Sequence, residues 1–171
     1  NRDFLNQVMV SGNYLNRLIL ELLDVNLIKS NNENNLKASD IDIVSVVQRC
    51  IQGLGEVAKK KGIHVKVSTT DDKPVIINSE ETSLLRTIDN LLSNALKFTE
   101  EKGKVEVNID SVGAECIRVE VVDSGVGIAP EKLEKMRSLS QAESTLATDG
   151  ENGYGLGFGI VKDLTLKLGA K

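Results

Sequence analysis

The sequence NLLSNALKFT, residues 90–99, carries the most informative pattern in the chain. Its polar residues Asn90, Asn94 and Lys97 are four and three positions apart, so on a helix they share one face. Amide oxygens suit Mg²⁺ as ligands, and a lysine ammonium supplies a point charge for a phosphate. An ordinary helix that exposes its polar face would show the same spacing, so the pattern needs support from other motifs.

A second motif, DSGVGI at residues 123–128, directly follows a segment with strand periodicity. Gly125 and Gly127 allow the backbone to turn sharply and to approach a ligand closely. A carboxylate at the end of the strand, Asp123, can accept a hydrogen bond from an exocyclic amine such as adenine N6. A tight turn that leads into a helix would explain an isolated motif of this kind equally well.

Four glycines at alternate positions form the third motif, GYGLGFGI at residues 153–160. Such a run costs chain entropy unless the backbone must come close to another group. The run leads into a helical segment, and the free N–H groups and dipole of a helix N-terminus favour phosphate. The run does not match GxxxxGK[ST], and no strand precedes it, so neither a P-loop nor a Rossmann motif is indicated.

Hydrophobic periodicity divides the chain into three predicted parts. Residues 1–30 form an amphipathic helix whose apolar stripe is too wide for a lone helix and suits an intermolecular bundle. Residues 31–41 are polar and Asn-rich and predict a linker. Residues 42–171 alternate strand and helix patterns, and they predict strands covered by helices on one face.

Within this last part, the predicted elements follow from apolar spacing and end signals. Asp40 or Asp42 is positioned to cap a helix that runs to Lys61, where Gly62 stops it. The other predicted elements are strands at 63–69, 74–78, 104–110 and 116–122 and helices at 80–98 and 155–168.

Composition limits the classes of function. Net charge is −4, and aromatic residues make up only 3% of the 171 residues, with no Trp, which argues against nucleic-acid binding. No run of 18 apolar residues is present, and no signal peptide is visible. The two cysteines, Cys50 and Cys116, lie outside any CxxC pair and are expected to be reduced core thiols.

Taken together and in this order, the three motifs resemble the ATP-binding domain shared by gyrase, heat-shock chaperone, histidine kinase and mismatch-repair ATPases. The resemblance implies an α+β fold: a two-layer α/β sandwich of the Bergerat type, with a mixed sheet and helices on one face. It also implies ATP and Mg²⁺ as cofactors, with the polar stretch before the glycine run as a lid. By this resemblance, Asn94 would hold Mg²⁺, with Asn90 beside it, and Asp123, Gly125 and Gly127 would bind the adenine base. The phosphates would be bound by Lys97 and by the residues of the glycine run, which are Gly153, Gly155, Leu156, Gly157 and Gly159.

One position separates the branches of this family. The hydrolytic branches carry a glutamate four residues before the metal asparagine, and here that position is Asn90. An amide cannot act as general base at neutral pH, so transfer to a protein acceptor is favoured over hydrolysis. The LLSNALKFT segment, Glu80 to Leu85 and the helix at 1–30 are similar to sensor histidine kinases.

That resemblance makes the helix at 1–30 the second helix of a dimerisation hairpin, and it implies a homodimer through this helix. A response regulator receiver domain is the implied downstream partner, the implied location is cytoplasmic, and no nucleic-acid or membrane contact by this fragment is expected. The single histidine, His64, lies on the outward side of a predicted strand and is expected to be structural. The phosphoryl acceptor would then lie upstream of Asn1, and the family's last strand would be missing.

Two alternatives stay open at the level of sequence. The chain could be a sensor or scaffold domain that binds ATP without phosphotransfer, because fold does not fix activity. It could also be a serine-directed protein kinase of the same superfamily, which the bundle helix argues against.

Overall fold

The structure is a computed structural model that describes residues 38–70, 74–113, 116–131, 133–134 and 156–170. The predicted helix at 1–30 and the predicted lid lie outside these residues. The helices and strands in chain order are β1 Ser39–Asp42, α1 Ile43–Lys61, β2 His64–Thr69, β3 Ile76–Ser79, α2 Glu81–Phe98, β4 Lys104–Val112, β5 Cys116–Asp123 and α3 Leu156–Lys167. Every strand and helix predicted from residue 42 to residue 123, and the helix near 155–168, is confirmed with small shifts of its ends.

Helix α1 begins at the side chain of Asp42. Its carboxylate accepts hydrogen bonds from the Val44 N–H at 3.1 Å and from the Ser45 hydroxyl at 2.7 Å. These bonds satisfy donors that the first turn of a helix leaves without an intrahelical acceptor. The structure therefore selects Asp42 over Asp40, whose carboxylate instead accepts from the Asn78 amide at 2.9 Å.

The Asp42 cap predicts how stability depends on pH. The Ser45 hydroxyl, aided by backbone N–H groups, holds the pKa of Asp42 below its usual value of 3.8. The charged cap is therefore fully stabilising above pH 3.8, and its contribution is lost as pH falls through the lower folded-state pKa. We expect Asp42→Ala to lower the free energy of unfolding by about 1 kcal/mol at neutral pH.

The matched variant Asp42→Asn keeps an oxygen acceptor for the cap but has no charge to lose. Chemical denaturation at neutral and at acidic pH should show a smaller acid-induced loss of stability for this variant than for the wild type. An equal loss in the two proteins would contradict the assignment of this pH dependence to Asp42.

The sheet is mixed, as expected. Strand β4 is central in a three-stranded sheet, parallel to β2 and antiparallel to β5. Strands β1 and β3 form a separate antiparallel pair in which Ile41 lies opposite Ile77. The prediction of a linker through residue 41 was wrong at this end, because Ser39–Asp42 form β1. This strand is short and buries only Ile41, so its polar composition resembled that of a linker.

The core lies between the helices and one face of the sheet. On β4, Val105, Val107 and Ile109 alternate with exposed or half-buried polar residues. Their buried partners on the helices are Val46, Val47 and Cys50 of α1 and Leu84, Ile88, Leu92 and Ala95 of α2. His64 and Lys66 of β2 are exposed. The described helices thus cover one face of the sheet, which confirms the predicted two-layer arrangement and the outward position of His64.

The cysteines differ in their surroundings. Cys50 is buried on α1, and burial raises the pKa of its thiol to about 11. Cys116 is exposed, so the expectation that both thiols lie in the core was wrong for it. The reason is the period of two along β5: Ile117 packs against the core, so its neighbour Cys116 points away. No helix in the described part of the chain is both long enough and apolar enough to cross a membrane.

Candidate functional site

Helix α2 presents the predicted polar edge. Its N-terminus is capped by Glu80, whose carboxylate oxygens accept from the N–H groups of Thr82 at 2.9 Å and Ser83 at 2.7 Å. Burial acts to raise the pKa of Glu80, but hydrogen bonds from the Ser83 hydroxyl and from the N–H groups of Ser83 and Thr82 outweigh it, and the pKa is lowered. The apolar residues of α2 face the core, and its polar edge is formed by the half-buried Asn90 and Asn94 and the exposed Lys97.

The two asparagines leave oxygen acceptors available. The Asn90 amide nitrogen donates to the Arg86 carbonyl at 2.9 Å, and no described residue donates to the Asn90 amide oxygen. The Asn94 amide makes no hydrogen bond to any residue that the structure describes. A half-buried amide without a partner is unfavourable unless solvent or a ligand satisfies it. Two amide side chains one helical turn apart on α2 supply the hard oxygen ligands that Mg²⁺ takes.

Asp123 is the last residue of β5 and lies opposite Val105 of β4. One oxygen of its exposed carboxylate, Oδ1, accepts from the Gly125 N–H at 2.8 Å. Within the described ranges, the other oxygen has no hydrogen-bond partner. The same side chain can therefore order the turn that follows β5 and accept a hydrogen bond from a ligand.

The turn after β5 rests directly on the end of α2. The Val126 N–H donates to the Phe98 carbonyl at 3.4 Å. A Cβ atom at Gly125 would lie 2.4 Å from the Phe98 carbonyl oxygen, a distance that real Cβ contacts do not reach. The requirement for glycine here is contact with α2, a partner that the sequence pattern did not reveal. Gly127 has a φ of +69°, in agreement with the sharp turn predicted there.

A cation from α1 also meets the end of α2. The Lys61 ammonium donates to the carbonyls of Leu96, Lys97 and Thr99 at 2.7, 3.0 and 2.9 Å. The sequence pattern identified Lys61 only as the last residue of its own helix. The Lys97 ammonium lies 4.9 Å from the centre of the Phe98 ring, a cation–π distance at an exposed position.

The glycine run is described only in its second half. Gly153 and Gly155 lie outside the described residues, whereas Leu156 begins α3 and Gly157 lies in its first turn. The first N–H groups of a helix have no acceptor within it. Helix α3 packs against α2, the helix that carries the asparagines. The structure thus brings together three parts: α2, the turn after β5, and α3, the helix into which the glycine run leads.

Comparison with known proteins agrees with this geometry. The family of histidine kinase-, DNA gyrase B- and HSP90-like ATPases matches residues 79–171, more than half of the chain. Hybrid signal transduction histidine kinase B of Dictyostelium discoideum is 31% identical in an alignment that covers 98% of this chain and 9% of that protein. The chain therefore spans about a tenth of the length of this relative.

Two solved structures are similar in fold. Full-length ShkA in complex with AMPPNP superposes with a TM-score of 0.73 at 26% identity, covering 98% of this chain and 34% of that one. Histidine kinase ThkA in complex with response regulator protein TrrA superposes with a TM-score of 0.62 at 22% identity, covering 73% and 36%. Both likenesses support the mixed-sheet α+β fold.

Proposed function

Because the chain belongs to the family of histidine kinase-, DNA gyrase B- and HSP90-like ATPases, we propose that it is the ATP-binding catalytic portion of a two-component sensor histidine kinase. It transfers the γ-phosphoryl group of ATP to a histidine outside this chain. The observation that carries the proposal is the packing of the Asp123–Gly127 turn onto the end of α2. This contact joins the expected base-binding turn to the helix of Asn90, Asn94 and Lys97.

Each residue of the site has a proposed role in binding. The free oxygen of Asp123 accepts from the adenine amino group, and Gly125 and Gly127 shape the turn beneath the base. Lys97 contacts phosphate, as do the amides of the glycine run and of its helix start; these are Gly153, Gly155, Leu156, Gly157 and Gly159. Asn94, with Asn90 beside it, would hold Mg²⁺, which offsets the negative charge of the phosphates.

Transfer is favoured over hydrolysis by the group at position 90. The Asn90 side chain is an amide, which has no basic lone pair to take a proton from water at neutral pH. Its nitrogen donates a hydrogen bond to the Arg86 carbonyl. His64 is exposed on the face of the sheet opposite the described helices. Its position does not suit an acceptor for phosphate bound at α2, which supports an acceptor elsewhere in the parent protein.

The relatives favour this function over the two alternatives. The curated relative named above is a histidine kinase, and the likeness extends along nearly the whole chain. This agrees less well with a scaffold that only senses ATP or with a serine-directed kinase. The ThkA complex with a response regulator supports a receiver domain as partner. A homodimer through residues 1–30 and a cytoplasmic location remain parts of the proposal.

Calorimetric titration of ATP into the chain, with Mg²⁺ and again with EDTA, tests the proposal. We expect binding with Mg²⁺ and weaker binding with EDTA, because Asn94 contributes through the ion. Asn94→Asp in the parent protein should abolish phosphorylation of its histidine, whereas a pure ATP sensor has no such activity to lose. Absence of binding at about millimolar ATP, an affinity of only about 4 kcal/mol, would refute the proposal.

A further inference from the structure

We propose that Lys61 is a positioning residue for the nucleotide site, acting through the C-terminal turn of α2. This inference rests on the function proposed above. The Lys61 ammonium bonds main-chain carbonyls at the end of α2, including that of Lys97, and none of the side chains expected to contact the nucleotide. It acts on the backbone that those residues share.

The ammonium of Lys61 matches the end of α2 chemically. The last carbonyls of a helix have no donor within the helix, and they carry the negative end of its dipole. A lysine ammonium has three N–H donors, and here three carbonyls receive them, those of Leu96, Lys97 and Thr99. Such charge-assisted bonds are stronger than neutral ones. The donors of this one side chain therefore fix the last turn of α2.

The backbone around Lys61 is itself fixed by hydrogen bonds. Lys61 is the last residue of α1, and Gly62 follows with a φ of +64°. The N–H of Ile63 then bonds to the Ala58 carbonyl at 2.9 Å, in the manner of a Schellman motif. The Lys61 carbonyl accepts from the Lys102 N–H at 2.9 Å. The side chain thus extends from a fixed backbone, so α1 provides a rigid support for the end of α2.

The Phe98 carbonyl lies between two carbonyls that Lys61 bonds, and the turn after β5 packs on it. Lys61 bonds the carbonyls of residues 97 and 99, while the Phe98 carbonyl accepts from Val126 and lies against Gly125. A change in the last turn of α2 would therefore move the Phe98 carbonyl, and with it the turn that follows Asp123. It would also move Lys97, which the proposal places on phosphate.

Lys61→Met tests the inference, because it keeps the length of the side chain and removes its charge and donors. We expect its affinity for Mg²⁺–ATP to fall about tenfold, the size of one lost hydrogen bond to a charged group. Lys60→Met is the matched control, since it removes the same charge from an exposed position in the same turn. It should bind as the wild type does, and Lys61→Arg should recover most of the lost affinity.

A second measurement needs no nucleotide. The amide NMR signals of Gly125 and Val126 should shift in free Lys61→Met and stay in place in Lys60→Met. If Lys61→Met does not fold, Lys61→Gln, which keeps one donor group, takes its place in both measurements. A wild type that does not bind ATP would overturn the proposed function and the nucleotide role of Lys61 together. A wild type that binds, with Lys61→Met binding equally well or unshifted at Val126, would overturn this inference alone.

Discussion

Asp123→Ala is expected to weaken ATP binding about a hundredfold, because a hydrogen bond to a charged acceptor contributes about 1.5–3 kcal/mol. The carboxylate supplies the proposed acceptor for the adenine amino group at the end of β5. It also holds the Gly125 N–H at 2.8 Å, so its removal loosens the turn beneath the base. Calorimetric titration of Mg²⁺–ATP into both proteins measures the loss.

The variant Asp123→Asn separates these two contributions. It keeps an oxygen that can accept from Gly125, but it replaces the free oxygen with an NH₂ group, which cannot accept from adenine N6. We expect this variant to melt at nearly the wild-type temperature and to lose most of its affinity for ATP. Its preference for ATP over GTP should fall, because NH₂ can donate to the guanine oxygen. Unchanged ATP affinity in Asp123→Asn would show that Asp123 does not read the base.

The fold could be predicted largely because its signals are local. Helix α2 carries its cap at Glu80 and its apolar side within one continuous segment. Buried residues alternate with exposed or half-buried ones along β4, and half-buried residues alternate with exposed ones along most of β5. Strand β1 was missed because its only buried residue, Ile41, becomes meaningful through its partner Ile77, which lies far along the chain. A strand of four residues with one buried residue shows no alternation of apolar and polar residues from which it could be predicted.

The candidate site could be predicted in its residue types but not in its supports. The polar edge of α2 and the turn after β5 follow from spacing and glycine content. The contact between Gly125 and the Phe98 carbonyl, and that between Lys61 and the end of α2, join residues distant in sequence. In both contacts the group on α2 is a backbone carbonyl. Every residue has one, so no particular residue type marks the position. Sequence therefore gave no signal for these partners.

Gly125→Ala is expected to destabilise the domain and to weaken ATP binding together. The added methyl group would meet the Phe98 carbonyl oxygen at 2.4 Å and its carbon at 2.8 Å. These are backbone atoms of a helix end and cannot rotate away, so the turn must lift from α2 or α2 must deform. Overpacking of this kind costs about 1–3 kcal/mol in the free energy of unfolding. Chemical denaturation measures that cost, and calorimetric titration measures the affinity.

Gly53→Ala provides the matched control. Gly53 lies inside α1, and a Cβ atom there would meet nothing within 4 Å. The same substitution should therefore raise stability by about 0.5–1 kcal/mol, because alanine favours the helix, and leave ATP affinity unchanged. If Gly125→Ala were as stable as the wild type and bound ATP as tightly, the turn would not depend on its contact with α2. The chemical change is identical in the two variants, so the loss expected only for Gly125→Ala reports the contact with the Phe98 carbonyl.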